Sequence, residues 1–538
     1  MGKIEWLAEL ARRYPSQIMA RTPGVNGDRE ATYDEVLELS LRVAGGLASA
    51  GVRRGGIVGV WLPNCLEWVT ADFACSALGA ALLGINTRYR VEEVAHLLRV
   101  ARPTAIVMPS RFLDIDFLGI LTDALSRIGA EGGSDLKVPT LVLVGEEPAG
   151  VASYPGRHMT YGDIEGGPAI SPEEGIAGER SNLFTTSGST ALPKLAGHPQ
   201  SAVVTHAKAG AGAFSVVPGD GYLALLPLCG VFGYNAAMAT VAGGGWLALE
   251  PNLDPVRSAT LIEGGKITHL VGGDDLWTRV MPAVRNDSGV RLRRGGVADF
   301  TRRAAEVVEE AERRWGTRVS GVYGSSELFA LTATWPESLD LELRSRQGGV
   351  VVSPGIAVRV AGDDGVSEVE PGQAGELQFS GYNVMEGYLN NPEATAAAFT
   401  ADGWFRSGDL GYLDTDGGFV YLCRAKEALR LRGFLVEPAE IERFFNAVEG
   451  VEETHVAGVD TPSGTKVVAY VTLQSGAKLA EEDLLTKAKA ELAAFKVPER
   501  LVIIDDFPAT VGTNGRKVRV EVLREWATAL LSDQSAHR

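Results

Sequence analysis

The run Phe184-Thr185-Thr186-Ser187-Gly188-Ser189-Thr190-Ala191-Leu192-Pro193-Lys194 sets five hydroxyl side chains around one glycine and closes on a Pro-Lys pair. Leu183-Phe184 reads as the end of a strand, and the remainder reads as an exposed loop. Hydroxyls and free backbone N–H groups in such a loop can wrap a polyphosphate, and Lys194 adds a point charge. On composition alone a flexible Ser/Thr linker is the commoner meaning of such a run. The residues it keeps company with further along the chain decide between the two.

Two other phosphate loops are excluded. A Walker loop needs Gly-Lys followed by Ser or Thr at a helix start. Here Pro193 precedes Lys194 and Leu195 follows it. Gly210-Ala211-Gly212 comes nearest to a dinucleotide fingerprint, but Ser215 stands where the third glycine belongs.

The chain has 538 residues, too many for one core, so two to four domains are expected. Hydrophobic content of 45% and charged content of 22% are those of an ordinary globular protein. A formal charge of −17 argues against nucleic acid or an anionic membrane as partner, while leaving room for a nucleotide held at one local basic site. Cys65, Cys75, Cys229 and Cys423 show no paired spacing, and the seven histidines form no metal-binding cluster. The start, Met1-Gly2-Lys3-Ile4-Glu5-Trp6, lacks a signal-peptide core. Apolar runs stop short of the roughly 20 residues of a membrane span. A cytoplasmic protein is expected.

Residues 1 to about 110 alternate helical and strand patterns, which predicts an α/β layer structure. Tyr33 to Ala50 has apolar residues at helical spacing and stops at Gly51; Gly56 to Leu62 and Thr104 to Met108 read as strands. From 110 to 180 the pattern is less regular. Tyr222 to Pro227 reads as a buried strand, Thr301 to Trp315 as an amphipathic helix, and 346–422 as mostly β. A boundary near Lys426 divides a large multi-layer N-terminal domain, 1–425, from a small α/β C-terminal domain, 426–538, which the resemblance given below implies is mobile.

Tyr323-Gly324-Ser325-Ser326-Glu327 groups an aromatic ring, a tight turn, two hydroxyls and a carboxylate. Mg²⁺ prefers one or two carboxylates plus phosphate oxygens, which Glu327 beside a phosphate loop would supply. Asp409, set between glycines in Gly408-Asp409-Leu410-Gly411, suits a ribose diol or a simple β-turn. Arg424 follows within reach of the same nucleotide, and Lys517 lies on a loop near the C-terminus.

In this order along one chain, these segments resemble the adenylate-forming superfamily of acyl- and aryl-CoA synthetases, adenylation domains and luciferases. Gly375-Glu376-Leu377, Gly387-Tyr388, Asn391-Pro392-Glu393-Ala394-Thr395 and Gly433 to Glu442 extend the resemblance over nearly the whole chain. It implies ATP-dependent adenylation of an aryl or acyl carboxylic acid, then transfer to CoA with loss of AMP and pyrophosphate. The cofactors implied are ATP, Mg²⁺ and CoA. The alternative acceptors are a carrier-protein thiol, an amine or an activated nitrite.

The resemblance also assigns residues. Thr186, Ser187, Gly188, Ser189, Thr190 and Lys194 would handle the β- and γ-phosphates. Glu327 would hold Mg²⁺, Ser326 would meet the α-phosphate, and Tyr323, Gly296 and Val297 would flank adenine. Asp409 and Arg424 would take the ribose, and Gly433 would let a pantetheine arm pass. Lys517 would be the adenylation lysine and Lys426 the hinge. Gly230, Phe232, Tyr234 and Asn235 would shape the acid pocket. Departures from the family pattern include Ala191 in the phosphate loop, Gly230 for a frequent histidine, and Cys423 before Arg424. No Asp stands at or beside Gly230, which counts against a free α-amino acid as substrate.

Overall fold

The computed structural model describes residues 1–24, 28–131, 136–172, 176–186, 192–362, 364–415, 417–425, 429–431, 434–436, 438–461, 464–512 and 515–535. Ser187, Gly188, Ser189 and Thr190 of the expected phosphate loop lie outside the described residues, as do Lys426 and Gly433.

Two sheets organise the larger part of the chain. Among the described residues the first runs Gly387–Tyr388, Leu195–Pro199, Arg180–Thr185, Ala81–Gly84, Ile57–Val60, Ala105–Pro109, Thr140–Val144, His158–Thr160. From Arg180–Thr185 onward its neighbours pair parallel. Parallel neighbours need crossovers, and Leu66–Ala77, Val91–Ala101 and Phe117–Ala130 are helices of that kind. The last of these falls in the stretch read as irregular. Its buried Phe117, Leu121, Ala124 and Ile128 share one helix face, and Asp116 caps it through Gly119 N.

The second sheet has a parallel half that includes Gly221–Ala224, His269–Gly273, Arg294–Ala298 and Arg318–Tyr323. It continues antiparallel through Gly348–Val351, Phe419–Arg424, Phe405–Leu413 and Gly375–Gly381, the β-rich stretch expected from the sequence. Gly348 and Gly349, at φ +125° and +122°, lie in the strand Gly348–Val351, packed close against its neighbours. A Cβ on Gly348 would sit 2.1 Å from Phe419 O, and one on Gly349 2.3 Å from the Thr334 backbone.

The helix Tyr33–Ser49 starts on a capping box, Thr32 Oγ1 with Glu35 N and Glu35 Oε2 with Thr32 N, and stops ahead of Gly51 at φ +99°. The helix predicted from Thr301 begins only at Ala304. The buried Asp274 carboxylate takes the N–H groups of Phe300, Thr301 and Arg303, so these residues form a loop instead. The helix Val231–Ala242 is buried on every side, and its run of small and apolar residues suits that place. Among the described residues no helix is long and apolar enough to cross a membrane.

Lys3 is fully buried, 2.7 Å from Asp72 Oδ1, with Ser181 Oγ at 2.9 Å and Asn182 Oδ1 at 3.2 Å. Tyr234 OH donates to Asp72 Oδ2 at 3.0 Å. This ionic cluster ties the first helix, Lys3–Arg13, to the strand that leads into the phosphate loop.

From Leu429 onward the chain builds cores of its own residues, around the sheet Val451–Thr461, Gly464–Leu473, Arg500–Ile503. Arg302 joins the two parts through a 3.0 Å bond to buried Glu442. The strand Gly515–Val518, which carries Lys517, comes against the helix Asp274–Val280.

Candidate active site

The phosphate-loop run leaves the first sheet from Arg180–Thr185 and returns on Leu195–Pro199. Thr186 N donates to Lys194 O at 2.9 Å, which closes the neck of the loop. His96 Nε2 holds Pro193 O at 3.0 Å. Thr186 Oγ1 is buried and has no partner among the described residues, so it suits a phosphate oxygen.

Lys194 Nζ lies 4.0 Å from the centre of the Tyr388 ring. Tyr388 OH donates to Glu327 Oε1 at 2.8 Å. Tyr388 has no chemical signal of its own in the sequence; folding makes it the link between the expected phosphate lysine and the expected metal carboxylate. Burial first and the Glu327 charge second push its phenol up, so it stays a neutral donor.

A second cluster lies beside the first. Asp409 and Arg424 face each other across antiparallel strands, with Arg424 Nη1 3.0 Å from Asp409 Oδ1. Tyr323 OH donates to Asp409 Oδ2 at 2.6 Å. Asp409 is the largest cause holding the Arg424 guanidinium above its ordinary value, and Glu327 contributes to the same shift. The Tyr323 ring stacks on Phe379 at 5.4 Å, so one face is spent on protein packing. Gly296 and Val297 sit on Arg294–Ala298, next to the strand that ends at Tyr323.

The structure also commits groups that were expected to meet ligand. Ser326 Oγ donates to Thr185 O at 3.0 Å, bracing the loop neck. Tyr234 sends its hydroxyl into the Lys3–Asp72 cluster. Asn235 Nδ2 donates to Phe329 O, while its Oδ1 has no partner. Gly230 is the N-cap of Val231–Ala242, and Phe232 lies in the first turn of that helix, almost fully buried.

Phe329, Ala330 and Leu331 have φ of +60°, +43° and +40°, three consecutive left-handed non-glycine residues separated from Glu327 only by Leu328. Such a backbone persists only where its surroundings over-determine it. Here four side chains from distant elements hold four of the five carbonyls from Ser326 to Ala330. His198 Nε2 meets Ser326 O at 2.7 Å and Asn383 Nδ2 meets Leu328 O at 3.0 Å. Asn235 holds Phe329 O, and His206 Nε2 meets Ala330 O at 2.8 Å. Sequence reasoning missed both histidines, because isolated residues with no spacing motif give no signal.

Burial lowers the pKa of His198 and His206 from 6.5 to about 4, so both rings are neutral near pH 7. Between pH 4 and 6.5 the unfolded chain therefore binds these protons and the folded one does not. This contribution is complete above about pH 6.5 and is lost as pH falls toward 4. Asp299, whose carboxyl burial raises, works with the opposite sign. His206→Gln keeps an N–H donor but cannot titrate. Its melting temperature should fall less than that of the wild type between pH 6.5 and 4; parallel decline would refute the assignment.

Residues 7–389 match the AMP-binding enzyme family, and residues 440–512 match the AMP-binding enzyme C-terminal domain. A Rhodococcus jostii 3-[(3aS,4S,7aS)-7a-methyl-1,5-dioxo-octahydro-1H-inden-4-yl]propanoyl:CoA ligase is 30% identical, over 94% of this chain and 95% of its own. The indoleacetate–CoA ligase of Aromatoleum aromaticum is 28% identical, over 97% and 98%. The solved structure of an ATP-bound RpMatB-BxBclM chimera superposes with a TM-score of 0.83 at 25% identity, over 98% and 99%. With both of its parts matched and similarity extending along nearly its full length, the chain belongs to the AMP-binding enzyme family.

Proposed function

We propose that this protein is an ATP-dependent acid–thiol ligase that adenylates an aryl or cyclic acyl carboxylic acid and passes the acyl group to CoA. The carrying observation is two polar clusters that feel each other's charge: Lys194 on Tyr388 and Tyr388 on Glu327, then Arg424 with Asp409 and Tyr323, the Glu327 charge acting on Arg424. They offer a cation for phosphates, a carboxylate for a metal and an acceptor for ribose hydroxyls, in the order of a nucleoside triphosphate. Both curated relatives are named as CoA ligases of ring-bearing acids, which supports the substrate class.

In the first half-reaction a carboxylate oxygen attacks the α-phosphorus of ATP, the bond to the β-phosphate oxygen breaks, and pyrophosphate leaves. In the second, the thiolate of CoA attacks the acyl carbon and AMP departs. Lys194 and Thr186 would hold the outgoing phosphates, and Asp409 with Arg424 would fix the ribose. Lys517 would stabilise negative charge growing between the carboxylate and the α-phosphate. The domain 426–538, hinged at Lys426, would rotate between half-reactions and bring Gly433 toward the pantetheine arm. The approach of Gly515–Val518 to Asp274–Val280 supports the adenylating arrangement as the one described.

Glu327 fits Mg²⁺, because that ion keeps waters and takes one or two carboxylates together with substrate phosphate oxygens. When bound, it would neutralise phosphate charge. Loss of an outer partner of a metal ligand typically costs about 10–100-fold in affinity, and loss of the ligand itself should cost at least as much. Glu327→Gln should thus raise the Mg²⁺ needed for half-maximal pyrophosphate release by about tenfold or more. An unchanged titration would put the metal elsewhere.

The function is tested by pyrophosphate release over a panel of carboxylic acids, with and without CoA, and by mass detection of the acyl-CoA. Pyrophosphate without thioester would keep adenylation and move the acceptor to a carrier protein, an amine or nitrite. No release with any acid would refute the reading.

A further inference from the structure

A small cavity lies behind the Phe329–Leu331 turn. Tyr222 and His269, neighbours in parallel register, form one wall; Ala236, Ala239 and Thr240 form another, and Leu331 closes it. It has room for about one water-sized group. Gly296, on the expected adenine-side strand, backs onto it. A Cβ there would stand 3.2 Å from Phe214 Cε1 and 3.2 Å from Val271 Cγ1, two further cavity residues. The cavity thus adjoins both the nucleotide-side strand and the turn that follows Glu327.

Its polar inventory is short. His269 has both nitrogens engaged, Nε2 with Phe214 O at 3.0 Å and Nδ1 with Thr268 Oγ1 at 2.8 Å. Thr240 Oγ1 donates to Ala236 O at 3.0 Å. Tyr222 is 1% exposed and its hydroxyl has no partner. Burial raises the Tyr222 pKa, so the group stays a neutral donor. A buried donor left unmade costs free energy that a ligand acceptor would recover.

We propose that this cavity is the far end of the acid pocket and that Tyr222 selects acids bearing a neutral acceptor oxygen, such as a ketone, at the end remote from the carboxylate. This rests on the reading of the chain as an acid-adenylating ligase. The alanines and Leu331 give the cavity apolar walls with room for a single carbonyl oxygen, and among the described residues the Tyr222 hydroxyl is its one donor without a partner. A site built to bond an oxygen discriminates strongly against the analogue that lacks it, because its own donor is then left unpaired.

The test uses two matched pairs: 3-cyclohexylpropanoic acid with its 4-oxo analogue, and 3-(indan-4-yl)propanoic acid with its 1-oxo analogue. Wild type should favour the oxo acid of at least one pair. Tyr222→Phe should lower kcat/KM for that acid by about 10- to 100-fold and leave its deoxy partner within about twofold. Without ligand, Tyr222→Phe should melt at or above the wild-type temperature, since its hydroxyl is unpartnered in the free protein. Equal effects on both acids, no effect on either, or a lower melting temperature would show a structural or water-binding hydroxyl and overturn the proposal. So would a wild type that adenylates other acids but none of these four. A wild type that adenylates no acid refutes the ligase reading instead.

Discussion

Lys517→Ala should cut acyl-adenylate formation by about 10²-fold or more while leaving thioester formation from supplied acyl-AMP nearly intact. The size follows from what one preorganised donor to a developing oxyanion is worth, about 10²- to 10³-fold. The asymmetry follows from the proposed domain rotation: a lysine on Gly515–Val518, near Asp274–Val280, would serve only the half-reaction in which that strand is docked. Single-turnover assays of the two steps, run separately, decide it. Equal loss of both steps would mean that Lys517 supports folding or binding in general. A loss confined to the thioester step would reverse the assignment of this docked arrangement to adenylation.

The second large effect concerns stability. Lys3→Met leaves Asp72 buried without its cation, with bonds from Asn182 Nδ2 and Tyr234 OH, each at 3.0 Å, remaining among the described residues. Breaking one partner of a buried pair costs about 3–5 kcal/mol. The midpoint of denaturant unfolding should therefore fall clearly. Activity should fall with it, because Asn182 lies on the strand entering the phosphate loop and Tyr234 precedes Asn235 on the helix that braces Phe329. Adding Asp72→Asn should recover much of the loss, since the uncompensated charge is then gone. A single variant within about 1 kcal/mol of wild type would show that solvent reaches the pair.

These two residues mark how far the sequence reaches. Lys517 and the Ser/Thr run take their expected roles from the family resemblance, since alone the run reads as a linker and the lysine as surface. Glu327, Asp409 and Arg424 are legible as an ordered set, although each is weak alone. Lys3 reads only as part of a charged start, because nothing in its neighbourhood announces a carboxylate 69 residues away.

By itself the sequence determined the class of fold, through alternating periodicities, and the nucleotide chemistry, through short runs in a set order. Tertiary structure decided which polar groups remain available to a ligand. Ser326 and the Tyr234 hydroxyl are spent on the protein's own framework, while the hydroxyls of Thr186 and Tyr222 have no partner among the described residues. It also decided the left-handed turn at Phe329–Leu331, which no local preference favours and which carbonyl contacts from His198, His206, Asn235 and Asn383 impose. The reason is the range of the interactions: propensity and motif act over a few neighbours, whereas hydrogen-bond satisfaction in a buried site is settled between residues that only folding brings together.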